Sequence, residues 1–380
     1  MNTISHSTST GSPYVARALA VARALAVSPA LAMTLAIAVS FAAARAADEL
    51  PPPTGETIVA PDARLELLFT RSASIEGGLT EGPAVAPDGT IYFSDIPTGK
   101  DKGMILRFDP KTKETTVFAE DSHKSNGLIF DREGFLLACE GADFGGRCVS
   151  KWNVETGERT VLADRYEGKR FNACNDLCLD RRGRIYFTDP RYLGDEPREL
   201  EHRAVYRVNR DGTVVELTHD VSKPNGIALS PDGARLYVAD HDNGTDKIDP
   251  SAPAPEQGDM RIYAFRLTRR GNVRGERQTL VDFGAEKGCD GMCVDTGGNL
   301  YLTVRSLKRP GVMVVNPEGK EIAFIPTGPA DQTDLNSAVG LPSNVEFGIG
   351  EEENVLYVTV DKSLYRIALK STGYHAQYGE

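Results

Sequence analysis

The stretch EGPAVAPDGTIYFSD, residues 81–95, has the pattern of a β-hairpin. An oxygen-bearing residue opens it, a short apolar run follows, a Pro-Asp-Gly turn reverses the chain, and Ile-Tyr-Phe carries it back. The turn glycine supplies the positive φ that a tight hairpin requires. Five further stretches lie over this one: NGLIFDREGFLLACE from Asn126, NDLCLDRRGRIYFTD from Asn175, NGIALSPDGARLYVAD from Asn225, DGMCVDTGGNLYLTV from Asp290 and NVEFGIGEEENVLYVTV from Asn344. The openings recur 45 to 65 residues apart. Self-similarity at such a period is the mark of a repeat architecture.

Two more strand-like runs follow most copies. They are MILRFDP and TTVFAE after the first, VSKWNV and TVLAD after the second, GVMVVN and EIAFIP after the fifth. The unit is therefore an up-and-down meander of four short strands, and six such units make an all-β, six-bladed β-propeller of four-stranded antiparallel blades. No repeat carries the 3.6-residue period of a helix. The sixth copy ends after SLYRIAL, residues 363–369, one strand short, while ARLELLFT, residues 63–70, precedes the first copy and belongs to none. The expectation is that this N-terminal strand completes the last blade, closes the ring and covers its edge. Residues 47–380 are then a single domain.

In a meander blade the first strand is innermost, so the residue that opens each copy faces the mouth of the central channel. Glu81, Asn126, Asn175, Asn225, Asp290 and Asn344 should form a circle there. All carry carboxylate or amide oxygens and none is Cys or His, a donor set suited to one hard divalent cation. Ca²⁺ is the first expectation, with Zn²⁺, Mg²⁺ or Mn²⁺ as the others. The plainer alternative is that Asn and Asp serve only as turn formers. The acids that end the second strands, Asp95, Asp189 and Asp240, are expected to accept backbone N–H groups rather than to build a second ion site. His123 and His241 should lie near the ring face as candidate proton shuttles. The links from Pro190 to His202 and from His241 to Asp259 should overlie it, as a lid or as solvated surface.

The chain has 380 residues and a net charge of −11, which disfavours nucleic acid and anionic membrane surfaces as partners. Residues 1–46 contain no Asp or Glu, and Arg17, Arg23 and Arg45 are their only charges apart from His6 and the amino terminus. With the uncharged apolar run 24–44 and Ala44-Arg45-Ala46, they read as a secretory signal cleaved before Ala47, an uncleaved membrane anchor being the alternative. The mature protein would be periplasmic or secreted, with no membrane association after cleavage. Of the six cysteines, only Cys139 and Cys148 are placed so that two neighbouring strands could bring them opposite each other. They are the expected disulfide.

EGPAVAPDG at Glu81, RFNACNDLCLD at Asn175, KPNGIALSPDG at Asn225 and GCDGMCVD at Asp290 resemble the gluconolactonase / senescence marker protein (regucalcin-like) family, itself similar to paraoxonases and diisopropylfluorophosphatase. The resemblance covers most of the chain after Ala47. It implies metal ligation by Glu81, Asn225 and Asp290, with Asn175 a ligand or a substrate contact, and a part for Asp290 in proton transfer. Asn126 and Asn175 would orient the substrate. The implied activity is hydrolysis of a small-molecule lactone or ester by a carboxylic ester hydrolase. The alternatives are phosphotriester hydrolysis at the same ion and a non-catalytic calcium-binding propeller that presents its face to a partner protein. Two departures bear on the substrate: Ala173 stands where animal members are expected to hold the sugar with Arg, and CEGADFGGRC lacks a histidine after its Cys-Glu pair.

Overall fold

The structure is a computed structural model and describes residues 50–71, 78–245 and 256–378. The expected signal segment lies outside the described residues. Six four-stranded antiparallel sheets form a six-bladed propeller, as the repeats require. The first strands of blades 1 to 6 are Leu79–Val85, Ser125–Phe130, Leu177–Leu179, Pro224–Leu229, Cys289–Val294 and Pro342–Phe347. Each touches the first strand of the next blade, and the sixth touches the first, so the innermost strands close a circle. One extra hairpin, Arg165–Tyr166 with Lys169–Arg170, stands between blades 2 and 3.

The last blade is completed as expected. Glu66–Thr70 pairs antiparallel with Ser363–Ala368, in register Glu66↔Arg366, Leu67↔Tyr365, Phe69↔Leu364 and Thr70↔Ser363. Leu68 and Phe69 pack into the seam with blade 1, where Phe69 meets Phe93 edge-on at 5.7 Å.

The recurring turn acids and tyrosines have one physical role. Asp88, Asp131, Asp180 and Asp232 each accept the backbone N–H two residues on, at 2.9 Å, which fixes the hairpin at the end of the channel away from the ring residues. The tyrosine of the returning strand buries its ring between blades and points its hydroxyl back to such an acid, Tyr186 to Asp180 at 3.3 Å and Tyr301 to Asp295 at 3.1 Å. At the mouth end, Asp189 accepts the N–H groups of Asn172 and Ala173, and Asp240 those of Ser222 and Lys223, as expected. Asp95 differs: it pairs with the buried guanidinium of Arg71.

The disulfide expectation is corrected. The second and third strands of blade 2 pair Cys139 with Val149 and Glu140 with Cys148. The two cysteines are out of step by one residue, so the pleat sends their side chains to opposite faces. The Cys139 thiol donates to Asp176 O at 3.5 Å and the Cys148 thiol to Glu140 Oε2 at 3.2 Å. All six cysteines are free thiols.

Removing residues 63–70 bares the outer edge of blade 6 and the seam that Leu68 and Phe69 fill. Taking roughly 3 kcal/mol for those two side chains and about 2 °C per kcal/mol for a large domain, we expect the melting temperature to fall by at least about 6 °C in one cooperative transition. An unchanged midpoint in differential scanning calorimetry would show that the strand does not close the ring.

Candidate metal and substrate site

The inner edge of five of the six blades is irregular beside the ring residues, blade 3 pairing in regular register. Pairing between first and second strands slips between Glu81 and Ala84, Ser125 and Leu128, Pro224 and Ile227, Cys289 and Met292, and Pro342 and Asn344. A bulge leaves a residue unpaired and bends the strand, which re-aims the side chain beside it. In four copies the ring residue is followed by glycine for want of space. A Cβ on Gly127 would stand 2.3 Å from Asp176 Oδ1, on Gly226 2.4 Å from Asp290 O, and on Gly291 2.1 Å from the Asn344 side chain. At Gly82, with φ +45, it would meet Asn126 O at 2.2 Å.

Hydroxyls from the second strands satisfy the carbonyls that the bulges free. Ser94 donates to Asn126 O at 2.8 Å, and Thr303 to Gly291 O at 2.7 Å and to Ser343 O at 2.9 Å. Ser343 in turn donates to Thr80 O at 2.6 Å, joining blade 6 to blade 1.

Where the inner strands converge, Glu81, Asp176, Asn225, Asp290 and Asn344 interact and charge is concentrated. Glu81 is buried, accepts the N–H of Gly82 at 3.0 Å, and its carboxyl is pushed well above the usual range by burial, then by the charges of Asp290 and Asp176. Asp290 is also raised by burial, against which the Arg305 guanidinium and the Asn225 amide act. Asn175, Asn225 and Asn344 are buried, and Asn126 is partly so. Asn225 donates from Nδ2 to Tyr192 Oη at 3.0 Å and bonds Asp290, which uses its donors and leaves Oδ1 as an acceptor. Among the described residues no three His, Cys, Asp or Glu side chains form a metal-ligating group on their own. The set here is carboxylates interleaved with amides.

Two acids of the channel went unread in the sequence. Asp176 follows Asn175 where four other copies have glycine. It bonds Leu177 N–H at 2.9 Å and the Asn344 side chain, and burial lifts it to about 7. Glu346, two residues beyond Asn344, is lifted to about 8 by burial and then by Asp176. It lines a cavity of about 70 Å³ at the far end of the channel, together with Tyr374, His375, Ala376 and Gln377 of the C-terminal segment. The alternation Asn-Gly against Asn-Asp was the signal that marked Asp176.

At the mouth, the link after Asp189 delivers Tyr192, which donates to His241 O at 3.1 Å and lies under the Lys223 ammonium at 4.4 Å. His241 is buried, its Nδ1 2.9 Å from Cys289 O, and it is pushed down to about 3 by burial and by Arg305, Lys287 and Lys223. His123 does not join the site. Its partly exposed imidazole lies 6.3 Å from the Trp152 ring on the third strand of blade 2. Residues 246–255 of the second expected lid lie outside the described residues.

Residues 79–362 match the family model described as SMP-30/Gluconolactonase/LRE-like region. The chain belongs to that family. It is 28% identical to the gluconolactonase of Zymomonas mobilis over 312 residues, 77% of this chain and 79% of the relative. It is 26% identical to the pentonolactonase XacC of Haloferax volcanii over 62% of this chain and 69% of the relative. The solved gluconolactonase XC5397 from Xanthomonas campestris superimposes with a TM-score of 0.67 at 27% identity, covering 84% of this chain and 96% of that one.

The glycine reading predicts that Gly226→Ala drives a methyl group into Asp290 O. We expect a loss of roughly 1–3 kcal/mol in urea unfolding, accompanied by a weaker site. A change within about 0.5 kcal/mol would mean that the inner strands have room to part.

Proposed function

We propose that this protein is a metal-dependent hydrolase of lactones, working at the mouth of the propeller channel. The observation that carries the reading is the pair of carboxylates Glu81 and Asp290, held in one ring with amide oxygens, in a chain of a gluconolactonase family. Left to themselves the two charges oppose each other and resist burial. A divalent cation relieves both, and the all-oxygen donor set fits one. Glu81, Asn175, Asn225 and Asp290 would hold it. When bound, such an ion supplies positive charge where the lactone carbonyl oxygen becomes an oxyanion.

The residues of the chain supply the rest. Water adds to the carbonyl carbon, the ring C–O bond breaks, and the alkoxide takes a proton, leaving a hydroxy acid as its carboxylate. Asp290 would accept the proton that water loses, a role supported by Arg305 Nη1 at 3.4 Å and the Asn225 amide, which favour its ionised form. Asn126 and Asn175 orient the substrate from the neighbouring blades, offering amide donors and acceptors to ring hydroxyls.

The direct test is a panel of five- and six-membered lactones beside a phosphotriester, assayed with chelator and then with Ca²⁺, Zn²⁺, Mg²⁺ or Mn²⁺ restored. We expect lactone turnover that the chelator abolishes and one or more ions restore. Turnover of the phosphotriester alone would assign a different hydrolase, and turnover of neither a binding propeller.

The two carboxylates should separate by kinetics. Asp290→Asn keeps an oxygen and the shape but removes the base, so at saturating ion kcat should fall by about 10²–10⁴. Glu81→Gln should lose ion affinity instead and recover in part as the ion concentration is raised. Equal recovery of both variants, with bound metal measured alongside, would make Asp290 a ligand only and leave His241 as the base to test.

A further inference from the structure

The mouth of the channel is electrostatically two-sided. Glu81, Asp176 and Asp290 make the ring acidic. The sector over blades 4 and 5 is basic: the charges that depress His241 there are those of Arg305, Lys287 and Lys223. Two of these cations are committed to the protein. The Lys223 ammonium bonds Asn243 Oδ1 at 2.8 Å and Thr245 Oγ1 at 3.1 Å, and that of Lys287 bonds Gln257 Oε1 at 2.9 Å.

Arg305 is different. It follows the second strand of blade 5, Leu300–Val304, and so emerges at the mouth. Its Nη1 bonds Pro342 O at 3.2 Å and stands 3.4 Å from Asp290 Oδ2, which anchors one corner of the guanidinium beside the ring. Its Nε and Nη2 have no hydrogen-bond partner among the described residues, and the side chain keeps 23% of its surface exposed. A guanidinium edge offers two parallel N–H groups in the geometry of a carboxylate.

Lactone hydrolysis turns a neutral ring ester into a carboxylate, an anion that calls for a hydrogen-bonding cation beside the reacting carbonyl. We propose that Arg305 is the carboxylate-binding residue of this site, its Nε–Nη2 edge receiving the carboxylate of the hydroxy acid that ring opening releases. This assignment rests on the lactonase reading. It extends that reading from the reacting carbonyl to the fate of the product, and it makes the site one for polar hydroxy acids rather than for apolar esters.

The test compares wild type with Arg305→Gln and Arg305→Lys, each with the divalent ion bound in equal amount. D-gluconate is the hydroxy-acid probe, and sorbitol is the neutral control of the same chain length. In wild type, gluconate should inhibit hydrolysis of an uncharged lactone competitively, and sorbitol far less. Arg305→Gln should lower kcat, because Asp290 loses the guanidinium beside it, and should raise the gluconate inhibition constant by roughly 10-fold or more, the size of a lost charge-assisted hydrogen bond, well beyond any rise in KM for the neutral lactone. Arg305→Lys, which keeps the charge but not the fork, should fall between. Parallel rises in the inhibition constant and KM, or no rise in either, overturn the proposal, because Arg305 would then act only through Asp290 or not at all. Calorimetric titration of gluconate into the same proteins decides the matter without catalysis. A wild type that turns over no lactone sinks the lactonase reading, whereas a working wild type whose gluconate affinity ignores Arg305 sinks only this assignment.

Discussion

The six innermost strands lie so close to the channel axis that in several places a methyl group does not fit between neighbours. Gly127 is pressed to Asp176, Gly226 to Asp290 and Gly291 to Asn344, each with less than 2.5 Å of room for a Cβ. That closeness makes the rest of the site possible. It breaks the pairing of the first and second strands into bulges, frees carbonyls that Ser94 and Thr303 then satisfy, and brings side chains from six separate blades around one axis. Without such contact the ring residues would be six unrelated turn residues.

Convergence has an electrostatic consequence. Carboxylates that are far apart along the chain are forced to share a poorly solvated space, so Glu81 resists ionisation and Asp290 depends on Arg305 and Asn225 for its charge. The mouth answers this with cations and oriented dipoles on one side only. Tyr192 links Asn225 to the backbone of His241, and Lys223 lies against the Tyr192 ring. At the far end, Glu346 and His375 approach to 3.7 Å, with the acid lifted to about 8 and the imidazole lowered to about 4 by burial.

Several site features were readable because they recur. Copies that open on Glu, Asn or Asp announce an oxygen-lined circle once the meander is recognised, since the topology alone puts each opening at the mouth. Asp176 was half-readable: it breaks the Asn-Gly rule in copy three, a deviation that acquires meaning only when Gly127 is seen pressed against it. Arg305 and Tyr192 gave no local signal, because their partners Pro342, Asn225 and the backbone of His241 lie far off in sequence. The pairing of Cys139 with Cys148 failed by one residue of register, a slip that composition and spacing cannot detect and the pleat does not forgive.

The sequence by itself determined the number of blades, the direction of each strand, the strand that closes the ring and the chemical type of the side chains at the mouth. All of these follow from local patterns repeated along the chain, with polar and apolar residues alternating and turns marked by Asp and Gly. Only the tertiary structure decided which charges meet. It set Asp176 beneath the ring, Arg305 against Asp290, His241 among three cations and His123 outside the site. The physical reason is that electrostatic interaction depends on separation in space and on the water excluded between groups. Both are fixed by how blades pack, and neither is written in any single repeat.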